Sequence, residues 1–177
     1  MIQHVLDAFT HAGLDEVVLV LSPALAWKPK TSERLKVVLN PYANQGISTS
    51  VKVGMEGISA KSEAVVIGLA DKPFLSVSTI EALVESYRRS ASEIVVPVLR
   101  GKRGNPILFR RNLFRKLRSL KGDVGAKVLV ESKEYSVEEV PVEDEGVLFD
   151  VDTPEDLRKA KEMLSSWSGV TEGKAGK

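Results

Sequence analysis

Apolar residues recur at Ile2, Val5, Leu6, Phe9 and Ala12 with polar residues between them. That three-and-four spacing predicts an amphipathic helix stopped at Gly13. Val17 to Leu21 is a short run of Val and Leu with no polar residue, which predicts a strand buried on both faces. Lys36 to Leu39 predicts a second, weaker strand, and Ser48 to about Ile58 a helix in spite of Gly54 and Gly57. Ala64 to Leu69 predicts another buried strand. Ser78-Thr79-Ile80-Glu81 has the form of a capping box, with a helix after it to about Arg89. Ile94–Val98 and Pro106–Phe109 predict strands, and Asn112–Leu120 and Val124–Val130 predict helices. Tyr135–Val142 and Val147–Val151 predict two more strands. Thr153 then caps a last helix with Pro154 in its first position, ending near Ser165.

Strands therefore alternate with helices, and most strands are apolar on both faces. The pattern predicts a three-layer α/β fold, a mainly parallel sheet with helices on both sides. The late stretch from Tyr135 is expected to add an antiparallel strand. No linker divides the chain and no repeat is visible. Residues 1–166 read as one domain, and 167–177, rich in Gly, Thr and Lys, as a disordered tail.

Composition excludes several chemistries. The chain has no cysteine, so disulfides, thiolate metal sites and a cysteine nucleophile are ruled out. No apolar run approaches the ~20 residues that span a bilayer. A cytoplasmic location is expected. The formal net charge is only +1, yet Arg100, Lys102, Arg103, Arg110, Arg111, Arg115, Lys116, Arg118 and Lys121 fall in a stretch without Asp or Glu. Such a stretch attracts anions or simply forms a solvated face. It lacks the interleaved aromatics of a nucleic-acid platform, so no nucleic-acid partner is expected.

Candidate chemistry gathers where strands end, because ligands of open α/β sheets bind at the carboxyl ends of the strands. Asp71 follows the buried run Ala64–Leu69. It reads equally well as a metal carboxylate or as a turn residue ahead of Pro73. Asp150 and Asp152 follow the predicted strand at Val147 and, in an extended segment, would project to the same side. The plainer reading is an acidic helix start. Asn40-Pro-Tyr-Ala-Asn-Gln-Gly-Ile-Ser-Thr-Ser50 leads into a helix, a setting for an anion on backbone N–H groups or for simple capping by Ser48. Arg100 to Pro106 reads as a flexible basic loop that could clamp a phosphate or be an exposed connection. Asp123 reads as a helix cap. His4, Asp7 and His11 share one face of the first helix at metal-ligand spacing, but opposite its apolar stripe, and are expected in solvent.

Five of these segments, in order, resemble the MobA-like nucleotidyltransferases. They are Asn40 with Gly46-Ile47-Ser48-Thr49-Ser50-Val51; Leu69-Ala70-Asp71-Lys72-Pro73; Arg103-Gly104-Asn105-Pro106-Ile107-Leu108-Phe109; Gly122-Asp123-Val124-Gly125-Ala126; and Asp150-Val151-Asp152-Thr153-Pro154-Glu155-Asp156-Leu157. The third and fourth favour the molybdenum-cofactor cytidylyltransferase branch. The resemblance implies a nucleotide-diphospho-sugar transferase fold and transfer of CMP from CTP, or another NTP, to a molybdopterin phosphate with release of pyrophosphate. It implies Mg²⁺ held by Asp71 and Asp152. Asn40, Gly46, Ser48 and Ser50 would lie near the base and ribose, and Arg103, Asn105 and Asp123 near the pterin. A molybdenum hydroxylase is an implied partner.

The sequence departs from the family at its start. Members open with a central strand and a Leu-Ala-Ala-Gly-x-Ser-x-Arg-Met-Gly-like loop around the triphosphate, whereas Met1 falls where they are already in their first full helix. The expectation is a longer natural chain in which Met1 is internal. The sheet would otherwise carry a gap. Two other readings stay open: a catalytically incomplete module that binds and delivers the cofactor, and a transferase acting on a sugar phosphate or phospholactate.

Overall fold

In the computed structural model, which describes residues 1–30 and 32–171, the strand β4 (Ile94–Leu99) divides its side chains between two cores. Ile94 and Val96 join Met55, Phe109 and Leu117 in one buried cluster. Val95, between them, joins Leu83 and Leu108 in another. Period-two alternation with apolar residues on both faces is what buries a strand between two layers of helices. One layer is α2 (Ile47–Gly57), α4 (Phe114–Arg118) and α5 (Lys127–Glu131). The other is α1 (Ile2–His11) and α3 (Val77–Arg89), where Ala8 and Ala12 meet Ile80, Leu99 and Val147.

The sheet is mixed and in two parts. β1 (Val17–Leu21) and β2 (Leu35–Leu39) pair in parallel, Val17 opposite Leu35. The remaining strands are β3 (Ala64–Ile67), β5 (Lys102–Arg103), β6 (Ile107–Arg110) and β7 (Val137–Pro141). They run in the order β3-β6-β4-β5, with β7 also on β4. Among the described residues no ladder joins the two parts. α2 spans them, packing on β1 and β2 while Met55 enters the β4–β6 core. Its glycine permits this closeness: a Cβ on Gly57 would stand 2.9 Å from Val18 Cγ1.

The antiparallel strands are not where the sequence pattern put them. β6 runs against both β3 and β4, and β5 against β4, whereas β7 lies parallel to β4. The connections explain this. β4 turns back at once through Arg100 and Gly101, both at positive φ. Between β6 and β7 the chain passes through α4 and α5 and reverses, so β7 runs opposite to β6 and along β4.

Three local expectations change. The run from Val147 to Val151 forms no strand. A 3-10 turn covers Glu145–Val147, and Leu148 and Phe149 donate backward to the Glu145 carbonyl. Val147 is wholly buried against α1 and α3, so the apolar run plugs the core as a turn. The cap of α3 is Ser76 instead of Ser78, its Oγ accepting the Thr79 N–H at 3.2 Å. The last helix, α6, runs Pro154–Thr171, past the expected end near Ser165. Of the expected tail, residues 172–177 lie outside the described residues. Among the described residues no helix is long and apolar enough to cross a membrane.

Candidate functional site

The loop after β3 and the segment before α6 meet at one rim of the sheet. The Val151 N–H donates to the Asp71 carbonyl at 3.0 Å. α6 is started there by a reciprocal cap: Thr153 Oγ1 accepts the Asp156 N–H and Asp156 Oδ2 accepts the Thr153 N–H, both at 3.1 Å. Asp71 Oδ1 is buried and has no hydrogen-bond partner among the described residues. Burial first, then the charge of Asp150, pushes the Asp71 carboxyl above the usual range; Lys72 opposes this and Asp152 adds to it. Asp150 thus acts on Asp71 more strongly than Asp152; the sequence pattern offered both, and the resemblance pointed to Asp152. The Lys72 ammonium already holds Asp150, 2.6 Å from Oδ1. Asp152 is exposed. Among the described residues no three His, Asp or Glu gather as a closed metal cage. An unpartnered buried oxygen beside further carboxylates still suits Mg²⁺, which takes one or two carboxylates and completes its shell with phosphates and water.

At the start of α2 the sequence-predicted residues come together, mostly by binding one another. Asn40 is wholly buried. Its Nδ2 donates to Thr49 Oγ1 at 2.9 Å and Ser50 Oγ at 3.0 Å, and its Oδ1 accepts the Tyr42 N–H. It clamps the strand-to-helix turn. Gly46 has φ +103, and a Cβ there would lie 2.6 Å from the Gly122 carbonyl oxygen. Ser48 Oγ is buried and has no hydrogen-bond partner among the described residues. Asp123 does not cap its own helix, which begins at Lys127, nor does it line the cleft occupied by Arg103 and Asn105. Its Oδ1 accepts the Ile47 N–H at 3.1 Å, supplying the negative charge that the start of α2 attracts.

Arg103 and Asn105 line a cleft of about 580 Å³ together with Lys72, Lys102, Lys127 and Asp150. Arg103 pairs with Glu139 at 2.7 Å, and Lys127 with Glu131 at 3.1 Å. The basic stretch 100–106 is therefore a paired hairpin, not a loose loop. Elsewhere the arginines serve structure. Arg110 donates to the Ser92 and Tyr87 carbonyls and stacks on the Tyr87 ring at 4.2 Å. Arg111 donates to the carbonyls of Ala60 and Ser62, and Arg118 to that of Met55. The pattern missed Lys72 and Lys127. Their nearness to Asp71 and Asp123 in the chain was the only available signal. His4, Asp7 and His11 line a second cleft with residues 73–79 and 142–146, and do not form a metal group.

Comparison with known proteins gives a consistent set. The profile of a family described as MobA-like NTP transferase domain matches residues 1–139. The purine catabolism protein PucB of Bacillus subtilis (strain 168) is 34% identical over 139 residues, 77% of this chain and 66% of PucB, just under two thirds of its length. Nicotine blue oxidoreductase of Paenarthrobacter nicotinovorans is 29% identical over 167 residues, 89% of this chain and 80% of that protein. The crystal structure of Rv0371c from Mycobacterium tuberculosis H37Rv has a TM-score of 0.74 at 28% identity, covering 91% of this chain and 83% of that one. Its complex with manganese has a TM-score of 0.73 at the same identity.

Proposed function

The chain belongs to the MobA-like NTP transferase family, and from that premise we propose that it transfers CMP from CTP to the phosphate of a molybdopterin cofactor, releasing pyrophosphate. The reading is supported above all by the bond between Val151 and Asp71, which brings carboxylates from distant stretches of chain to one rim. Mg²⁺ is the proposed metal, with Asp71 and Asp152 as its ligands. The manganese complex of Rv0371c is consistent with a divalent ion. When bound, such an ion neutralises triphosphate charge and fixes its orientation.

The chain's own residues supply position. Nucleotidyl transfer is an in-line attack on phosphorus, governed by alignment and electrostatic stabilisation. An ionised phosphate nucleophile needs no strong base. Asn40, Gly46, Ser48 and Ser50 form the proposed base and ribose side, where Asn40 locks the turn and Ser48 keeps an unused hydroxyl. Asp123 holds that helix start in place. Arg103 and Asn105 form the proposed acceptor side.

The test uses the protein as its gene encodes it, with CTP labelled at the α-phosphate, molybdopterin and Mg²⁺. Label is expected in a dinucleotide product, more from CTP than from GTP. Cofactor binding without label transfer would overturn the reading and favour a delivery module. Transfer to a sugar phosphate or phospholactate in preference to molybdopterin would correct the acceptor.

A further inference from the structure

Lysine is almost never buried unless paired, and its flexible stem normally carries the ammonium to water. Lys72 does not follow this habit. Its side chain is 3% exposed, while its partner Asp150 is 42% exposed. A carboxylate so open to solvent does not need a buried lysine to neutralise it. The burial falls on the cation, which loses its water and gains one half-exposed partner. An ammonium has three N–H donors, and Asp150 Oδ1 takes one at 2.6 Å.

The surroundings indicate what the other donors are for. Lys72 lines the cleft of about 580 Å³ with Lys102, Arg103, Gly104, Asn105 and Lys127. Four cations there meet three carboxylates, Glu131, Glu139 and Asp150. Arg103 and Lys127 are exposed and paired with Glu139 and Glu131. Lys72 is the buried cation of the set, and it directly follows Asp71 in the chain. It thus stands between the carboxylate rim and the cleft. We propose that Lys72 binds the phosphate of the acceptor, a phosphomonoester dianion, which displaces or shares Asp150 on the ammonium. This rests on the nucleotidyl-transfer reading for the identity of the ligand as acceptor, though not for anion binding itself. The tetrahedral anion would be held where its oxygen faces the metal-bearing rim, so Lys72 would both select a phosphate-bearing acceptor and orient its nucleophilic oxygen.

Inorganic phosphate is the probe, titrated by calorimetry into the metal-free full chain. Lys72→Met is expected to weaken phosphate binding by about tenfold or more. Asp150→Asn, which removes the competing carboxylate, is expected to tighten it. The double variant Lys72→Met/Asp150→Asn strands no buried charge, unlike Asp150→Asn, which leaves the buried ammonium without its carboxylate, and so should fold even where Asp150→Asn does not; it is expected to bind as weakly as Lys72→Met. If Lys72 only supports Asp150, the double variant will bind phosphate like wild type and Asp150→Asn will not tighten it, and the proposal falls. It also falls if the wild-type chain does not bind phosphate. The transfer reaction gives an independent outcome. In the protein as its gene encodes it, Lys72→Met should raise the KM for the acceptor and spare that for CTP. Phosphate binding with the expected pattern but no transfer would retain the anion site and sink the transfer reading. Transfer with an unchanged acceptor KM would do the reverse.

Discussion

The backbone carbonyl of Asp71 accepts the N–H of Val151 at 3.0 Å, joining residues eighty positions apart. Because the bond is between backbones, it fixes the two loops whatever the carboxylates do. It also explains why the segment after Val147 is not a strand: its hydrogen bonding goes to the Glu145 carbonyl and to Asp71. Phe149 secures the junction with an edge-on contact to Phe74, ring centres 5.1 Å apart.

The first prediction concerns Asp71 without metal. Burial, then Asp150, raises its pKa, so the folded state holds the proton more tightly than the unfolded chain does. Its contribution to stability is full below the unfolded pKa and is lost as pH rises through the folded one. Asp71→Asn should therefore raise the metal-free Tm at neutral pH, by roughly 1–3 °C for a domain of this size. Wild type and variant should converge in acid. Mg²⁺ should stabilise wild type more than the variant. Calorimetry at two pH values checks this, and a lower neutral Tm for the variant contradicts it.

Glu16 should behave in the opposite way. Lys36 Nζ lies 2.6 Å from its Oε2, and Oε1 accepts Ser62 Oγ at 3.0 Å and the Ser59 N–H. Burial alone would push its pKa up, but the hydrogen bonds from Lys36, Ser59 and Ser62 leave it lowered. The stabilisation is present above the unfolded pKa and disappears as pH falls through the folded one. Glu16→Gln should cost about 1–2 kcal/mol in urea unfolding at neutral pH, mostly through the hydrogen bonds, since Lys36 is half exposed. The cost should shrink below the carboxylate range.

Gly46→Ala tests the closure of the proposed nucleotide side. The residue has φ +103, and its new Cβ would stand 2.6 Å from the Gly122 oxygen. The expected loss is at least about 2 kcal/mol, together with weaker CTP binding. Gly13→Ala is the control. It has φ +66 but nothing within 4 Å, so it should cost only about 1 kcal/mol.

Most element positions were legible because they rest on periodicity. Ile94–Val96 is apolar because two helical layers bury it, whereas Val17–Leu21, expected to be buried on both faces, is buried only at Val17 and Leu21. Strand direction was not legible, since apolar pattern carries no sign; the Arg100–Gly101 turn sets β5 against β4, and the α4–α5 connection reverses the chain so that β7 runs along β4. The run at Val147 misled because a buried turn and a buried strand have the same composition. Asp71 was legible from its place after an apolar strand, which the fold leaves half-buried. Lys72 was not, since lysine reads as a solvent residue. Nor was Asp144, whose Oδ2 accepts from Ser76 and Thr79 at the start of α3, because the acidic stretch around it reads as a solvated loop.

The central claim is that Asp71 and Asp152 share one divalent ion. Mn²⁺ titration followed by electron paramagnetic resonance, with CTP present, measures this directly. The account predicts one ion per chain, bound about tenfold or more weakly in Asp71→Asn and likewise in Asp152→Asn, with the double variant losing less than the sum of the two. Wild-type affinity in either single variant, or losses that add as for independent sites, would contradict it.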